Sequence, residues 1–549
     1  MSKNKYLLTL VLIGLIGLAS AQVDTAWVRR YNGSPGNGTD YAVAIAVDGA
    51  GNVYVTGQSD AAGTVERDWA TIKYNSAGDT LWVRRYNGPG NGTDYGYAVA
   101  VDGTGNVYVT GMSTGSGTER DYLTIKYNSA GDTLWVRRYN GPGNGTDYAL
   151  ALAVDGTGNV YVTGYSAGIG TGDADYATIK YNSAGDTLWV RRYNGPGNGF
   201  DIARAIAVDG AGNVYVTGYT FGSGTGYDYA TIKYNSAGDT LWVRRYNGPG
   251  NGYDFALALA VDGMGNVYVT GYGHGSGTGY DYATIKYNSA GDSLWVARYN
   301  GPGNGVDCAN AIAVDGTGNV YVTGQSKGIS TGDADYATIK YNSAGDSLWV
   351  ARYNGPGNDA DCAYAIAVDG AGNVYVTGNS TGIGTADDYA TIKYNSAGNQ
   401  QWVARYDGPG NGIDMANALA VDGTGNVYMT GWSTGSGTGA DYTTIKYVQT
   451  PGVEENRQPL SAGRYSLTAE PNPFTKHTTI RYTVPIAGKV SIKLYNATGR
   501  LIETLVNDNL NAGTYTLKIE NWKSKISKGV YFLKYESDTD KSVLKLIVQ

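Results

Sequence analysis

An aspartate recurs at eight evenly spaced positions, each time directly after a glycine-rich stretch. The eight residues are Asp40, Asp94, Asp147, Asp201, Asp254, Asp307, Asp361 and Asp414. Such a ring of carboxylates could hold a cation, because Ca²⁺ is bound by oxygen ligands. The structural alternative is that each aspartate accepts hydrogen bonds from loop N–H groups. We favour the structural interpretation and expect no cofactor, with calcium on these eight carboxylates as the alternative.

A second set of residues varies between copies of an otherwise repeated sequence. Several are aromatic and lie just after a repeated Val-Thr-Gly (Met-Thr-Gly in the last copy) or just before the recurring aspartate: Tyr165, Tyr219, Tyr272, Trp432, Phe200 and Tyr253. Arg204 stands at another varied position, on the segment that follows the aspartate. Recognition residues concentrate where a rigid scaffold tolerates change. These seven residues are therefore predicted to form a ligand face, with neutral drift at loosely packed positions as the alternative.

Residues suited to nucleophilic catalysis are scarce. The chain has two histidines and two cysteines, and Cys308 and Cys362 occupy the same slot of neighbouring repeats. That slot is mostly apolar in the other copies, so we expect small core residues; a bridge between repeats is the alternative. No Ser-His-Asp or Cys-His set, zinc spacing or Walker-type phosphate loop can be assembled. We expect no enzymatic activity, although a carboxylate-based hydrolase or lyase is an alternative because paired acids are plentiful.

The element that must position these residues is a repeat of 53 or 54 residues that occurs eight times. In one copy, strands are predicted at residues 95–101, 106–110, 122–127 and 134–139. The Gly- and Asn-rich turns between them are too short for a crossover helix, so neighbouring strands run antiparallel. Both strand faces are apolar and need cover from neighbouring sheets. We predict an all-β fold, an eight-bladed β-propeller of four-stranded antiparallel blades.

The order of strands predicts how the ring is closed. The array begins with a fourth-strand segment, Trp27–Tyr31, and ends with a third strand near Tyr447. Placing the N-terminal segment on the last blade completes that blade and covers two strand edges. The loops then divide between two faces. The copied face carries the nearly identical one–two and three–four turns, and the variable face carries the two–three loops and the loops between blades.

The two ends of the chain differ from the repeat. Residues 1–21 have a basic start, an apolar run and a small-residue cleavage site, which predicts a signal peptide cut between Ala21 and Gln22. The propeller is predicted over 22–448, a linker over 449–464, and a small Ig-like β-sandwich over 465–549. The net charge of −7 is spread out, so we expect no nucleic-acid partner. We expect no transmembrane segment in the mature chain, and a monomer.

The repeated unit Ala-Ile-Ala-Val-Asp-x-x-Gly-Asn-Val-Tyr-Val-Thr-Gly resembles the SBBP-type bacterial β-propeller repeat, which is similar in pattern to NHL repeats. That family is often seven-bladed, whereas eight copies are present here. The resemblance implies display outside the cytoplasm and binding of a ligand or partner, without a defined reaction. The segment Tyr-Asn-Ser-Ala-Gly-Asp-Thr-Leu-Trp is also similar to the repeat of eight-bladed quinoprotein dehydrogenases, but the adjacent cysteines typical of those enzymes are absent.

Motifs in the C-terminal region resemble the type A sorting domain of the type IX (Por) secretion system. They are Pro471-Asn472-Pro473-Phe474, Val490 to Arg500, Ala512-Gly513-Thr514-Tyr515, Lys528 to Phe532 and the terminal Lys545 to Gln549. The resemblance implies export by the Sec system and then passage across the outer membrane, with the type IX machinery as a partner. The expected location is extracellular or on the outer-membrane surface.

Together these observations predict a secreted or cell-surface binding scaffold for an extracellular glycan or protein. A polysaccharide-acting enzyme that uses acidic residues and a purely structural surface protein are the alternatives.

Overall fold

The computed structural model describes residues 23–33, 38–60, 66–169, 173–328, 333–449 and most of 467–548, without 471, 473, 475–476, 485–486, 497–499, 512, 521–527 and 538–540. The chain divides into two compact units, Met1–Gly452 and Val453–Gln549. The predicted signal peptide, its cleavage site at Ala21 and Gln22, and nearly all of the predicted linker lie outside the described residues. None of the described segments forms a helix of the length and hydrophobicity needed to span a bilayer.

The first unit consists of eight four-stranded antiparallel sheets, which we number as blades 1 to 8 in chain order. The first strand of each blade is β2 Asp40–Val47, β6 Asp94–Val101, β10 Asp147–Val154, β14 Ile202–Val208, β18 Asp254–Val261, β22 Asp307–Val314, β26 Asp361–Val368 and β30 Asp414–Val421. The second is β3 Val53–Asp60, β7 Val107–Thr114, β11 Val160–Ala167, β15 Val214–Gly222, β19 Val267–Gly275, β23 Val320–Lys327, β27 Val374–Thr381 and β31 Val427–Thr434.

The two remaining strands of each blade complete the sheet. The third strands are β4 Arg67–Tyr74, β8 Arg120–Tyr127, β12 Ala174–Tyr181, β16 Gly226–Tyr234, β20 Gly279–Tyr287, β24 Ala334–Tyr341, β28 Asp387–Tyr394 and β32 Ala440–Gln449. The outer strands are β5 Thr80–Tyr86, β9 Thr133–Tyr139, β13 Thr187–Tyr193, β17 Thr240–Tyr246, β21 Ser293–Tyr299, β25 Ser347–Tyr353, β29 Gln400–Tyr406 and, for blade 8, β1 Val23–Tyr31. First strands of consecutive blades contact each other, which makes them the inner strands.

The turns of the copied face follow directly from their sequence. In the hairpin between β2 and β3, Oδ1 of Asp48 accepts hydrogen bonds from the N–H groups of Ala50 and Asn52, both at 2.9 Å. Its Oδ2 accepts one from the hydroxyl of Tyr54 at 2.9 Å. Gly51 has φ of +77°, a conformation in which glycine carries little steric cost. The aspartate therefore fixes the hairpin, and the register of both strands follows from it.

Neighbouring blades are joined at two levels. On the copied face, Lys126 of blade 2 and Trp135 both donate to the carbonyl oxygen of Ser183 in blade 3, at 3.0 and 3.2 Å. Deeper in the seam, the buried hydroxyl of Tyr122 donates to the carbonyl oxygen of Ala177 at 3.0 Å. The same tyrosine bond recurs at most of the other seams. Each blade therefore presents donors to the next one along the ring.

The predicted strand exchange is present in the structure. β1 pairs antiparallel with β32, with Val28 opposite Ile445 and Tyr31 opposite Tyr442. Blade 8 then contacts blade 1 as other neighbours contact each other, with the hydroxyl of Tyr442 3.3 Å from the carbonyl oxygen of Ala70. Trp27 in β1 donates to the carbonyl oxygen of Ser76 in blade 1 at 3.2 Å. The N-terminal strand thus belongs to the last sheet and contacts the first.

An arginine secures the outer strand in only part of the ring. In blade 1, Arg84 lies 5.6 Å above the ring of Trp82 and donates to the carbonyl oxygen of Gly131 in blade 2 at 2.6 Å. Equivalent arginine clips join blades 2, 3, 4 and 8 to the blade that follows. Blades 5, 6 and 7 have alanine instead, Ala297, Ala351 and Ala404. Trp295 and Trp349, in blades 5 and 6, are half-buried, whereas the tryptophans beside the arginine clips are buried.

One prediction about strand length was wrong. The second strand of blade 2 was expected to end at residue 110, but β7 continues to Thr114 through pairs such as Met112 with Tyr122 and Ser113 with Asp121. Glycine at residue 111 does not end the strand, because the third strand supplies partners on both sides of it. The varied residues after Val-Thr-Gly therefore lie on strands and not in loops.

The second unit has two sheets, as expected for a β-sandwich. β33 Leu467–Glu470, β34 His477–Val484 and β37 Gly513–Glu520 form one sheet. The other is formed by β36 Leu501–Leu510, β35 Gly488–Asn496, β38 Gly529–Ser537 and β39 Lys541–Val548. Alternate residues such as Ile480, Ile492 and Leu533 are fully buried between them. β33 is a strand that the sequence did not predict.

The seam between blades 1 and 2 differs from the other seven at two facing positions: one residue is larger than usual and the residue opposite is smaller. Trp69 stands where the other third strands carry the seam tyrosine, and its indole N–H donates to the hydroxyl of Thr56 at 2.6 Å. The inner strand opposite carries Gly96, where the other copies have alanine. A Cβ at Gly96 would lie 2.3 Å from Nε1 of Trp69. The larger ring is accommodated because the facing residue has no side chain.

We predict that Gly96→Ala destabilises the protein by about 1–3 kcal/mol, because overpacking a rigid core displaces side chains. Urea unfolding of the full chain measures the effect. The double variant Trp69→Tyr with Gly96→Ala recreates the tyrosine–alanine pair of the other seams and should recover most of the loss. Additive effects of the two substitutions would contradict this coupling.

Candidate ligand-binding site

The varied position on the inner strand, which includes Arg204, is a β-bulge in every blade. In blade 4, Ala203 pairs with Gly218 and Ala205 with Thr217, which leaves Arg204 as the extra residue. The same shift occurs in all other inner strands. The eight bulge residues are Val43, Tyr97, Leu150, Arg204, Leu257, Asn310, Tyr364 and Asn417. A bulge re-aims a side chain without changing the rest of the strand, so these positions can vary while the blade is preserved.

Four consecutive bulge residues line one cavity of about 430 Å³, which we call the central cavity. It is lined by Arg204, Tyr219, Phe255, Leu257, Tyr272, Cys308, Asn310, Gln325, Cys362 and Tyr364. Its lining residues come from the first and second strands of blades 4 to 7. Ligand pockets commonly have such a volume and an aromatic lining with a few polar groups.

The structure brings together three of the seven predicted ligand-face residues, Arg204, Tyr219 and Tyr272. The sequence analysis missed the other seven lining residues as a set. Several of them were visible as varied positions of neighbouring repeats. Their positions in the repeat would have identified them: the lining residues come from the same three positions of the repeat, read in four successive copies that form adjacent blades.

Aromatic rings extend from the cavity to the rim of the variable face. Phe255 packs edge-on against Tyr219, with ring centroids 4.7 Å apart, and lies 5.1 Å from Tyr272. Tyr253 lies 6.2 Å from Phe255 and is 49% exposed. Phe200, on the loop before blade 4, is 47% exposed. Phe200 and Tyr253, two of the predicted ligand-face residues, thus belong to the rim and do not line the cavity.

The remaining two predicted aromatic residues lie elsewhere on the ring. Tyr165 is stacked on Tyr148, with ring centroids 5.0 Å apart. The positive charge of Arg204 acts to lower the pKa of the Tyr165 hydroxyl, against the effect of burial. Trp432, in blade 8, packs edge-on against Tyr41 at 5.0 Å. Both side chains are half-buried. Trp432 does not line the central cavity.

Burial keeps the phenol of Tyr272 and the two thiols of the cavity in their neutral form. Burial raises the pKa of Tyr272 to about 12, so its hydroxyl remains protonated. Burial also raises the pKa of Cys308 to about 12 and that of Cys362 to about 11. The thiols are not bonded to each other, and Cys362 donates to Oε1 of Gln325. Thiols with raised pKa values are poor nucleophiles.

Comparison with known protein families accounts for both units. The family model described as a beta-propeller repeat, SBBP, matches residues 26–63, 81–117, 134–170, 188–224, 294–329, 348–384 and 401–437. The model of the secretion system C-terminal sorting domain matches residues 470–549. This chain is an SBBP-type β-propeller repeat protein with a C-terminal sorting domain. The seven matched copies leave out one stretch, but that stretch forms β17 to β20 like the others.

Individual relatives of the SBBP propeller are distant. An uncharacterised WD repeat-containing protein of Acanthamoeba polyphaga mimivirus is 22% identical over 445 residues, covering 58% of this chain and 31% of that protein. The regulatory protein FlaEY of Caulobacter vibrioides is 32% identical over 155 residues, covering 24% of this chain and 16% of that protein. The chain therefore spans less than a third of the length of either relative.

Solved structures of other proteins resemble the SBBP propeller only loosely. The β-propeller domain of the Trilobed protease from Pyrococcus furiosus is 8% identical, with a TM-score of 0.37, and covers 64% of this chain and 95% of that one. A fungal alcohol oxidase in complex with copper is 14% identical, with a TM-score of 0.35, over 82% of this chain and 96% of that one.

The recurring aspartates of the SBBP propeller are fully buried and bonded to the backbone. Oδ2 of Asp94 accepts the N–H of Gly88 at 2.7 Å, and its Oδ1 accepts the N–H of Thr114 at 3.1 Å. Seven of the eight, all but Asp40, make both of these backbone bonds. Asp40 accepts the N–H of Gly33 at 3.1 Å. This geometry agrees with the structural interpretation, in which the carboxylate ties the loop between blades to the end of the second strand.

Acids of the described residues form one group that could in principle hold a metal. Carboxylate oxygens of Asp388, Asp407 and Asp414 lie within 4.8 Å of one another. However, Asp388 is ion-paired with Arg405 at 2.8 Å. Both oxygens of Asp414 accept backbone N–H groups. The protein's own donors thus occupy most of the ligand atoms, so these residues fit a cation poorly.

Two of the buried aspartates differ from the other six. Burial raises the pKa of both Asp201 and Asp254 to about 6. In the other six blades a serine hydroxyl on the second strand also donates to the carboxylate and lowers its pKa. In blade 5 that serine is replaced by Gly273. A missing donor leaves the ionised carboxylate less stabilised.

We predict that Gly273→Ser changes the pH dependence of stability. The pKa of Asp254 in the folded protein, about 6, lies above the ordinary value near 4. The contribution of Asp254 to stability is therefore present below about pH 4 and is lost as the pH rises through about 6. The added hydroxyl should lower this pKa and reduce the loss, by about 1 kcal/mol. Urea unfolding of the full chain at about pH 4 and about pH 7 tests this.

The matched control is Gly273→Ala, which adds a side chain without the hydroxyl. The serine variant should be more stable than the alanine variant at neutral pH, and the difference should shrink at the acid end. If the stabilities of the two variants depend on pH in the same way, the missing hydroxyl is not the cause of the raised pKa of Asp254.

Proposed function

We propose that this secreted propeller binds an extracellular glycan in the central cavity. The secreted location is supported by the sorting domain at residues 470–549. The observation that carries the proposal is the composition of the cavity: the rings of Tyr219, Phe255 and Tyr272 stand beside the amides of Asn310 and Gln325. Sugars present apolar C–H faces and hydroxyl groups, which suit aromatic faces and amide or phenol groups respectively.

The architecture supports a preformed site. The cavity residues lie on inner strands, each hydrogen-bonded to the second strand of its blade, and on second strands, which are hydrogen-bonded on both sides. Little ordering therefore accompanies binding. Asn310 is fixed further, because its Nδ2 donates to the carbonyl oxygen of Ala363 in the next blade at 2.8 Å. A rigid polar group of this kind favours specific recognition over loose association.

We propose that the glycan is bound and not cleaved. A carboxylate-based glycosidase uses two acidic side chains that flank the scissile bond. Arg204 is the one charged residue among those that line the central cavity. The buried aspartates nearest to it in sequence, such as Asp201, are bonded to loop N–H groups. A protein ligand is the competing possibility, since Phe200 and Tyr253 present exposed rings on the rim.

We predict that Tyr219→Ala and Tyr272→Ala each weaken glycan binding about tenfold or more, because each removes a ring that would contact the sugar. A glycan array with the full chain identifies a bound glycan, and calorimetric titration with that glycan measures Kd. Trp432→Ala is the matched control, because this residue occupies the same strand position in blade 8 and packs against Tyr41.

Equal loss in the control and cavity variants would place the site elsewhere. Absence of any glycan binding, together with capture of a protein on the Phe200 and Tyr253 rim, would replace the glycan by a protein ligand.

We also predict that removal of residues 470–549 blocks passage across the outer membrane, because the sorting domain is the part that the type IX machinery would recognise. Fractionation of a cell that carries this secretion system measures the distribution of the propeller. The truncated chain should accumulate inside the outer membrane, and the full chain should reach the surface or the medium. Equal surface amounts for both chains would contradict the prediction.

A further inference from the structure

Arg204 is the one charged residue among the eight bulge positions. The other seven are Val43, Tyr97, Leu150, Leu257, Asn310, Tyr364 and Asn417. The bulge in β14 has the same register shift as its counterparts, so the arginine is accommodated without a local change in strand pairing. The charge is therefore an addition to the cavity that the fold itself does not require.

The guanidinium of Arg204 has no ion pair or hydrogen bond to any residue in the part of the chain that the structure describes. Its side chain is exposed. The outer-strand arginines behave differently: Arg192, Arg245 and Arg298 are each paired with an aspartate, at 2.9, 2.5 and 3.0 Å. An arginine that lines a cavity without a carboxylate partner is free to bind an anion from outside.

The surroundings of Arg204 favour such an anion. Tyr219 and Tyr272 line the same cavity as Arg204, and the positive charge of Arg204 acts on the hydroxyls of both and of Tyr165. Protonated phenols can donate hydrogen bonds to an anion. The other lining residues are neutral, so no acid in the lining opposes an incoming negative charge.

We propose that the central cavity recognises a carboxylate-bearing sugar, a hexuronate unit of an acidic polysaccharide, whose carboxylate pairs with Arg204. This inference rests on the proposed glycan-binding function and specifies its ligand. The planar guanidinium fork matches a carboxylate in a bidentate arrangement. The sugar ring then lies toward the aromatic side chains of Tyr219 and Tyr272, and the chain can continue toward the rim at Tyr253.

The charge balance favours a carboxylate over a phosphate or a multiply sulfated sugar. The lining supplies one positive charge, which neutralises one negative charge. A phosphate monoester would carry a second charge into a cavity whose lining holds no second cation. An uncompensated charge there would be costly. A hexuronate carries a single carboxylate per residue, so successive units can place their charges in turn outside the cavity.

The experiment uses the full chain and matched oligosaccharide probes. Trigalacturonate and triglucuronate oligomers are titrated calorimetrically, each beside its fully methyl-esterified form, which has the same ring without the charge. We expect the acid to bind about tenfold more tightly than its ester, as for a charge-assisted hydrogen bond. Added salt should weaken binding of the acid and leave binding of the ester unchanged.

The central variant is Arg204→Leu, because Leu150 and Leu257 occupy the same bulge position in the adjacent blades and show that the fold accepts leucine there. It should bind the acid and the ester equally. Adding Leu257→Arg to this variant returns a charge to the cavity from the next blade and should restore part of the preference for the acid.

The outcomes separate the two proposals. Equal binding of acid and ester by the unaltered chain, with no effect of Arg204→Leu, overturns the hexuronate inference and leaves glycan binding intact. Failure of every neutral and acidic oligosaccharide to bind overturns the proposed function, and the inference with it. Retention of the acid preference in Arg204→Leu places the anion at another residue and also overturns the inference.

Discussion

The fold depends on one constraint: each blade is apolar on both faces, so it is stable only between two neighbours. The hydroxyl of Tyr122 illustrates the solution, because it is buried in a seam and bonded to a backbone carbonyl of the next blade. A buried hydroxyl without a partner would be costly. Repetition of the same donor around the ring therefore specifies the order and spacing of blades as well as their packing. A terminal blade without this cover would expose both its edge and its apolar face.

This constraint explains the division between copied and varied residues. Turns such as that of Asp48 and seams such as that of Tyr122 hold polar side-chain atoms in fixed hydrogen bonds. Substitution there disturbs a hairpin or the contact between two blades. The bulge residues are exempt, because they have no cross-strand pair in the sheet. Variation at the bulges can therefore generate a site in one sector of the ring without loss of the scaffold. Blades 4 to 7 form such a sector.

The sequence predicts the architecture well, because periodicity, turn chemistry and apolar strand faces all indicate the same fold. The exchange of β1 onto the last blade followed from counting which strand was missing. The bulges could not be predicted in the same way: Ala203, Arg204 and Ala205 read as an ordinary alternating strand, and the register shift depends on pairing with β15. The compensation between Trp69 and Gly96 also escaped, since the two residues are distant in sequence and meet only across a seam.

Because the arginine clips are unevenly distributed, the seams between blades should differ in their resistance to mechanical unfolding. The clips are absent from the seams that follow blades 5, 6 and 7, where Ala297, Ala351 and Ala404 replace arginine. The central cavity spans two of these three seams on the inner side, through Leu257, Asn310 and Tyr364. A molecule that filled the cavity would therefore contact the inner strands of blades whose outer strands lack the arginine clips. If the proposed function holds, a bound ligand would also raise the resistance of this sector to unfolding.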